Sequence, residues 1–291
     1  MTKIYDYNVE AFTNENAISY YLLGAFMTDG HVSYHEMGVE VGITSKDADW
    51  LQMIADIVCP KMTVVKRNRN DSISYSLRIY CKEIAHWFVS KGCSTRKSLT
   101  LEFPKIGEIY LPDFLRGVMD GDGSISFGEY YRKDRGIVEK KRQVAIYTSS
   151  KAFEEGLHIA LKSLGVEPFT YVRKFGPRLI EDRIITSERE NYRVALKSGE
   201  EMCHLLKQLY YPNNPIAIPR KSKIAWELIN DWERERFCHE CEIKLPFRTG
   251  GRCQLYCEQC ANEKQRLSHV AAGRKYRAKK DSGEQFKPFE S

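Results

Sequence analysis

The sequence contains no long apolar run. Its longest, from Ile18 to Met27, is broken by Ser19 and Gly24 and falls short of a bilayer crossing. The opening residues, Met1-Thr2-Lys3-Ile4-Tyr5-Asp6, lack the apolar core that an export signal needs. A cytoplasmic, intracellular chain is therefore expected, with its nine cysteines reduced or metal-bound rather than paired in disulfides. Excess charge is scarce too. The net charge is +6, and it is all accounted for by residues 261–280, where Lys264, Arg266, Arg274, Lys275, Arg277, Lys279 and Lys280 face the single acid Glu263. The ends of the chain carry neither the nucleophile nor the His-Asn pair of self-splicing, which disfavours an intein. No His-Asn-His arrangement accompanies the cysteines, which disfavours a zinc-dependent nuclease. With 42% of its 291 residues hydrophobic, the chain can still build two or three cored domains.

What is present is a repeated segment. Leu115-Arg116-Gly117-Val118-Met119-Asp120-Gly121-Asp122-Gly123 has an echo in Leu22-Leu23-Gly24-Ala25-Phe26-Met27-Thr28-Asp29-Gly30. Both put Gly at the third position and Asp-Gly at the last two. Each reads as an apolar helix stopped by a glycine in a left-handed conformation. That leaves Asp29 and Asp122 in the last turn, at the negative end of the helix dipole, where a carboxylate is disfavoured unless a cation relieves it. Gly117 and Gly121 lie four apart, as do Gly24 and Thr28, so each helix has a face without bulk. Two such faces allow close backbone approach and would bring the two acids together.

These residues resemble the paired motifs of single-chain LAGLIDADG homing endonucleases, and the repeat extends the resemblance over roughly residues 12–230. The sixth motif position departs from symmetry, being Asp120 in one copy and Met27 in the other; that leaves Asp120 as an extra metal ligand or a solvated bystander, and the bystander is expected. The resemblance implies an α+β fold of two pseudo-symmetric αββαββα domains forming a DNA-binding saddle. It also implies site-specific cleavage of a long, pseudo-symmetric double-stranded DNA target by a monomer, using Mg²⁺ held by Asp29 and Asp122. A lysine after the last helix of each half lies beside the scissile phosphate in that family. By that resemblance Lys97 and Lys221, each in an Arg-Lys-Ser triplet, would stabilise the transition state. The alternatives on the same fold are an RNA-binding intron maturase and a non-cutting DNA-binding regulator.

Periodicity predicts the order helix, two strands, helix, two strands, helix, twice over. Asn14 or Asn16 would cap the first motif helix, Pro112 would sit in the first turn of the second, and Thr44-Ser45 and Thr148-Ser149 would cap the helices that follow. Longer loops are expected near 131–141 and 175–191. The expected domains are 1–105, 106–232 and 233–291. Alternation along the strands offers a groove-reading set: Lys66, Arg67, Arg69, Tyr75 and Arg78, then Arg132, Arg142, Gln143, Tyr147, Arg173, Lys174 and Arg193.

The last unit holds Cys238-x-x-Cys241 and Cys257-x-x-Cys260, a spacing that fits a structural four-thiolate Zn²⁺ site in a small ribbon or knuckle. Cys253 and His239 rank below the four paired thiols as ligands. The basic segment that follows, with Arg274, Lys275 and Arg277, would add grip on flanking DNA phosphates.

Overall fold

A computed structural model of the chain describes residues 5–36, 38–69, 72–93, 95, 97–134, 136–176, 178–180, 183–185, 189–234, 237–245 and 255–281. A short helix α1 (Glu10–Thr13) leads into the first motif helix α2 (Ala17–Thr28). Asn16 caps α2 by accepting from the amides of Ile18 and Ser19, and the Ser19 hydroxyl accepts from the Asn16 amide in return. The first half continues with β1 (Gly30–His35), β2 (Gly38–Ser45), α3 (Ala48–Val58), β3 (Val65–Arg69), β4 (Ser72–Ile79) and α4 (Lys82–Ser90). The second half repeats the order: α5 (Leu111–Asp122), β5 (Gly123–Arg132), β6 (Ile137–Thr148), α6 (Lys151–Ser163), β7 (Phe169–Phe175), β10 (Arg189–Ala195) and α7 (Gly199–Leu209). A small ribbon of β8 (Arg178–Ile180) and β9 (Arg183–Ile185) interrupts it, and α8 (Pro219–Arg234) and α9 (Glu258–Asp281) follow. The fold is α+β, with two four-stranded antiparallel sheets ordered β1-β2-β4-β3 and β5-β6-β10-β7.

Helices α2 and α5 lie against each other at the centre. Nine of the twelve residues of α2 are buried, as suits a helix apolar on every side. The contact is backbone to backbone. A Cβ on Gly24 would stand 2.2 Å from the Phe114 carbonyl oxygen, and one on Gly117 would stand 2.1 Å from that of Tyr21. One continuous cluster of buried apolar residues runs from Ala11 to Trp232 and spans both halves. Each sheet turns one side to it: Val41, Ile43, Leu77 and Ile79 in the first, Ile125, Val144, Ile146 and Val194 in the second. Among the described residues no helix is long and apolar enough to cross a membrane.

Four local expectations are corrected. Gly30 and Gly123 are not left-handed; Gly123 is extended at φ −88° and ψ 159°. They are needed for space instead, because a Cβ would meet Phe26 at 2.7 Å or the Met119 sulfur at 2.3 Å. Thr44-Ser45 and Thr148-Ser149 do not cap, since β2 runs through Ser45 and β6 through Thr148, one residue or more short of the cap positions. Asp47 takes the N-cap position of α3, and Ser150 caps α6 by accepting from the Phe153 amide. Residues 131–141 are not a long loop: β5 and β6 pair out to Arg132 and Ile137.

Candidate active site

Asp29 is the C-cap residue of α2 and Asp122 the last residue of α5. The packed glycines bring these ends together, since a Cβ on Gly121 would meet the Thr28 hydroxyl at 1.9 Å and lie 3.6 Å from the Asp29 amide. Both acids are exposed to solvent at these ends. Partial desolvation foremost, and then the Asp122 carboxylate, push the Asp29 carboxyl up to about 6, against the pull of Lys221 and Lys97. Asp122 is raised mainly by the same partial desolvation, with Lys97 and Lys221 again opposing. Each lysine therefore acts on both acids across the two halves.

Both lysines are buried, Lys97 to 8% and Lys221 to 5% exposure. Lys97 donates to the Gly30 carbonyl. Lys221 donates to the carbonyls of Met119 (2.8 Å), Asp120 (2.6 Å) and Gly123 (2.8 Å). Ammonium groups on the unsatisfied carbonyls of a helix end offset its negative dipole, the place where two carboxylates would otherwise be least welcome. Desolvation lowers the pKa of both lysines, and neighbouring acids hold it up. Arg96, the first residue of one triplet, lies outside the described residues. Its counterpart Arg220 reaches across to the first half and grips Asp47 through Nε at 2.6 Å and Nη2 at 2.8 Å.

Asp120 is no solvated bystander. It is 1% exposed and accepts from the Tyr21 hydroxyl (2.7 Å), the Tyr210 hydroxyl (2.7 Å) and the Ile218 amide (2.8 Å). Trp50 donates to the Tyr21 oxygen in turn. This network ties α2 to α5 and to the segment that carries Lys221. Arg116, fully buried, completes it by donating to Ile216, Leu209 and Asp113 between the rings of Tyr21 and Tyr211. Sequence reasoning missed Arg116. The available signal was a charged residue three positions after Asp113, on a helix most of whose other inward positions are apolar.

The outer sides of the sheets sort the strand residues. In the first sheet Arg67 pairs with Ser74, in register with Ser76 and Arg78 and away from Leu77 and Ile79, and the ladder ends with Arg69 paired to Ser72. Tyr75 falls on the other row and packs against the core, and Lys66 pairs with it. In the second sheet Gln143, Tyr147, Arg193 and Arg173 share the outer row. Arg142 and Lys174 do not. Alternation puts Arg142 in the row of Val144, where it binds Asp231 at 2.5 Å and lies over Trp232, and it leaves Lys174 on Glu190. Of two adjacent strand residues only one can face outward, so Arg142-Gln143 and Arg173-Lys174 each contribute one. Arg78 is engaged by Glu40, and Arg132 by Asp134 and Glu139.

The sulfur atoms of Cys238, Cys241, Cys257 and Cys260 all lie within 4.8 Å of one another, with Cys241 and Cys257 3.6 Å apart. Tetrahedral zinc with Zn–S bonds near 2.3 Å separates its sulfurs by about 3.8 Å, so the donor set fits that ion. A tight turn with Glu242 at φ 57° carries the first pair, and the second pair flanks the start of α9. His239 meets the Tyr256 ring edge to face, and Cys253 lies outside the described residues. Arg274 and Arg277 are exposed on α9, which also contains Lys275. For the acid pair, no third His, Cys, Asp or Glu completes a cluster among the described residues. Two hard carboxylate oxygens with solvent or phosphate in the remaining positions suit Mg²⁺.

No family model matches the chain, and no curated protein does. Solved structures resemble it. One described as I-DmoI in complex with DNA and Ca has a TM-score of 0.46 at 15% identity, covering 76% of this chain and 99% of that one. The LAGLIDADG meganuclease I-AabMI bound to uncleaved DNA has a TM-score of 0.43 at 11% identity, covering 74% and 89%. The meganuclease I-SmaMI bound to uncleaveable DNA has a TM-score of 0.42 at 12%, covering 74% and 88%. At such values the functional reading rests on the site's own geometry.

Proposed function

We propose that the chain is a metal-dependent, site-specific double-strand DNA endonuclease of the LAGLIDADG homing type, acting as a monomer of three units, 1–105, 106–232 and 233–291. The observation that supports it is the pair of solvent-open acids at adjoining helix ends, one from each half, with two buried lysines beside them. A divalent ion such as Mg²⁺ at Asp29 and Asp122 would neutralise phosphoryl oxygens and assist the departing 3′ oxygen. The carboxylates would hold that charge in place. Lys97 and Lys221 add positive charge where the pentavalent phosphate gathers negative charge. With its N–H groups committed to carbonyls, Lys221 acts through its field and by fixing the end of α5. One acid per half matches one cut per strand.

Target reading belongs to the outer sheet faces, through Arg67, Arg69, Arg78, Arg132, Gln143 and Arg173. The four cysteines hold structural Zn²⁺, and α9 with Arg274, Lys275 and Arg277 contacts flanking phosphates. The test is cleavage of duplex targets selected from a randomised library, with Mg²⁺, by the parent chain and by Asp29→Asn and Asp122→Asn. Both variants should lose cleavage by at least about a thousandfold while keeping DNA affinity. Binding to RNA alone would replace this reading with the maturase.

A further inference from the structure

The two hairpins that follow the motif helices begin in step and end out of step. In the first half the ladder opens at Gly30–Ile43 and closes after six pairs at His35–Gly38. In the second, the equivalent pair Gly123–Ile146 opens a ladder of ten pairs that closes at Arg132–Ile137. All the additional pairing therefore lies at the tip. At about 3.3 Å per residue it lengthens the second sheet by about 13 Å, close to four base pairs of duplex at about 3.4 Å each. The connection from β7 to β10 adds the β8–β9 ribbon, whereas β3 ends at Arg69 and β4 begins at Ser72.

The outer row of this tip is chemically built. Tyr130, Arg132 and Glu139 share the side of Gln143 in the ladder. The Tyr130 hydroxyl donates to Glu139 at 2.6 Å, and Arg132 holds Asp134 at 2.9 and 2.6 Å. The tip holds its Arg132 guanidinium between carboxylates of the same hairpin, so that group is oriented rather than free to follow phosphates. Its planar guanidinium, held by carboxylates, and its hydroxyl match the donors and acceptors of base edges. Resting on the endonuclease reading, we infer that the β5–β6 tip reads base pairs at the outer end of one half-site, so that the target is longer on the side of residues 106–232.

The experiment uses the full chain carrying Asp122→Asn, bound to a library-selected target and footprinted by hydroxyl radicals. The protected span should extend about four base pairs further on one side of the centre. In the cleavage-competent chain, Arg132→Ala should lower cleavage of the preferred target and weaken discrimination at the outermost positions of that longer side by about tenfold, with discrimination at the central positions unchanged. Equal spans, or unchanged discrimination in Arg132→Ala, overturn the inference while leaving the endonuclease intact. A chain that neither binds nor cuts duplex DNA overturns both together.

Discussion

At the scale of single residues, Asp29 carries the clearest pH signature. Its folded value of about 6 lies above the ordinary 3.8, so between those limits the native chain binds more protons than the unfolded one. Its contribution to stability is thus complete below pH 4 and lost as pH rises through 6. Asp29→Asn should accordingly be more stable than the parent at pH 8 without divalent ions, by less than about 1 kcal/mol once solvent screening of this exposed carboxylate is allowed for, and the gap should close towards pH 4. Added Mg²⁺ should raise the parent's Tm and not the variant's. A gap equally large at pH 4.5 and pH 8, measured by thermal melts, would contradict this origin. Asp120 makes a different prediction. Asp120→Ala strands two tyrosine hydroxyls and the Ile218 amide, which should cost about 3 kcal/mol or more in denaturant unfolding, with Asp120→Asn losing less.

At the scale of elements, the controlling feature is the near-contact of α2 and α5. The acids meet because Gly24 and Gly117 have no Cβ, and both would-be Cβ atoms collide with backbone rather than with a side chain that could swing away. Gly117→Ala should therefore cost about 3 kcal/mol and lower cleavage, whereas Gly128→Ala, with nothing within 4 Å, should stay within about 0.5 kcal/mol. Chemical denaturation of both variants and single-turnover cleavage check it. Similar losses in the two would show that the cost does not come from the helix contact.

At the scale of the molecule, one apolar cluster unites the two halves, and the cysteine cluster lies beyond its last member, Trp232. Binding about one zinc per chain should supply the folding energy of residues 233–291. Stripping it with a strong chelator should expose the amides of the turn at Cys238 and of α9 to rapid hydrogen exchange while those of α2 and α5 stay protected. DNA affinity should fall and its salt dependence should weaken as the α9 contacts are lost. Simultaneous exchange throughout the chain would show a single cooperative unit instead.

Much of this was legible in the sequence, for physical reasons. The period of apolar residues and the capping chemistry of Asn16 and Pro112 are local, so the repeated order of helices and strands could be read directly. The C-x-x-C pairs state their own geometry because tetrahedral thiolate coordination demands short loops. What could not be read was whatever depended on a partner distant in sequence. Only the packed structure decided that Asp120 would be buried by Tyr21 and Tyr210, that Lys97 and Lys221 would turn inward onto helix carbonyls, and that Arg142 would face Asp231. Strand parity is invisible until the register is known, and a charge becomes structural only when the fold removes it from water.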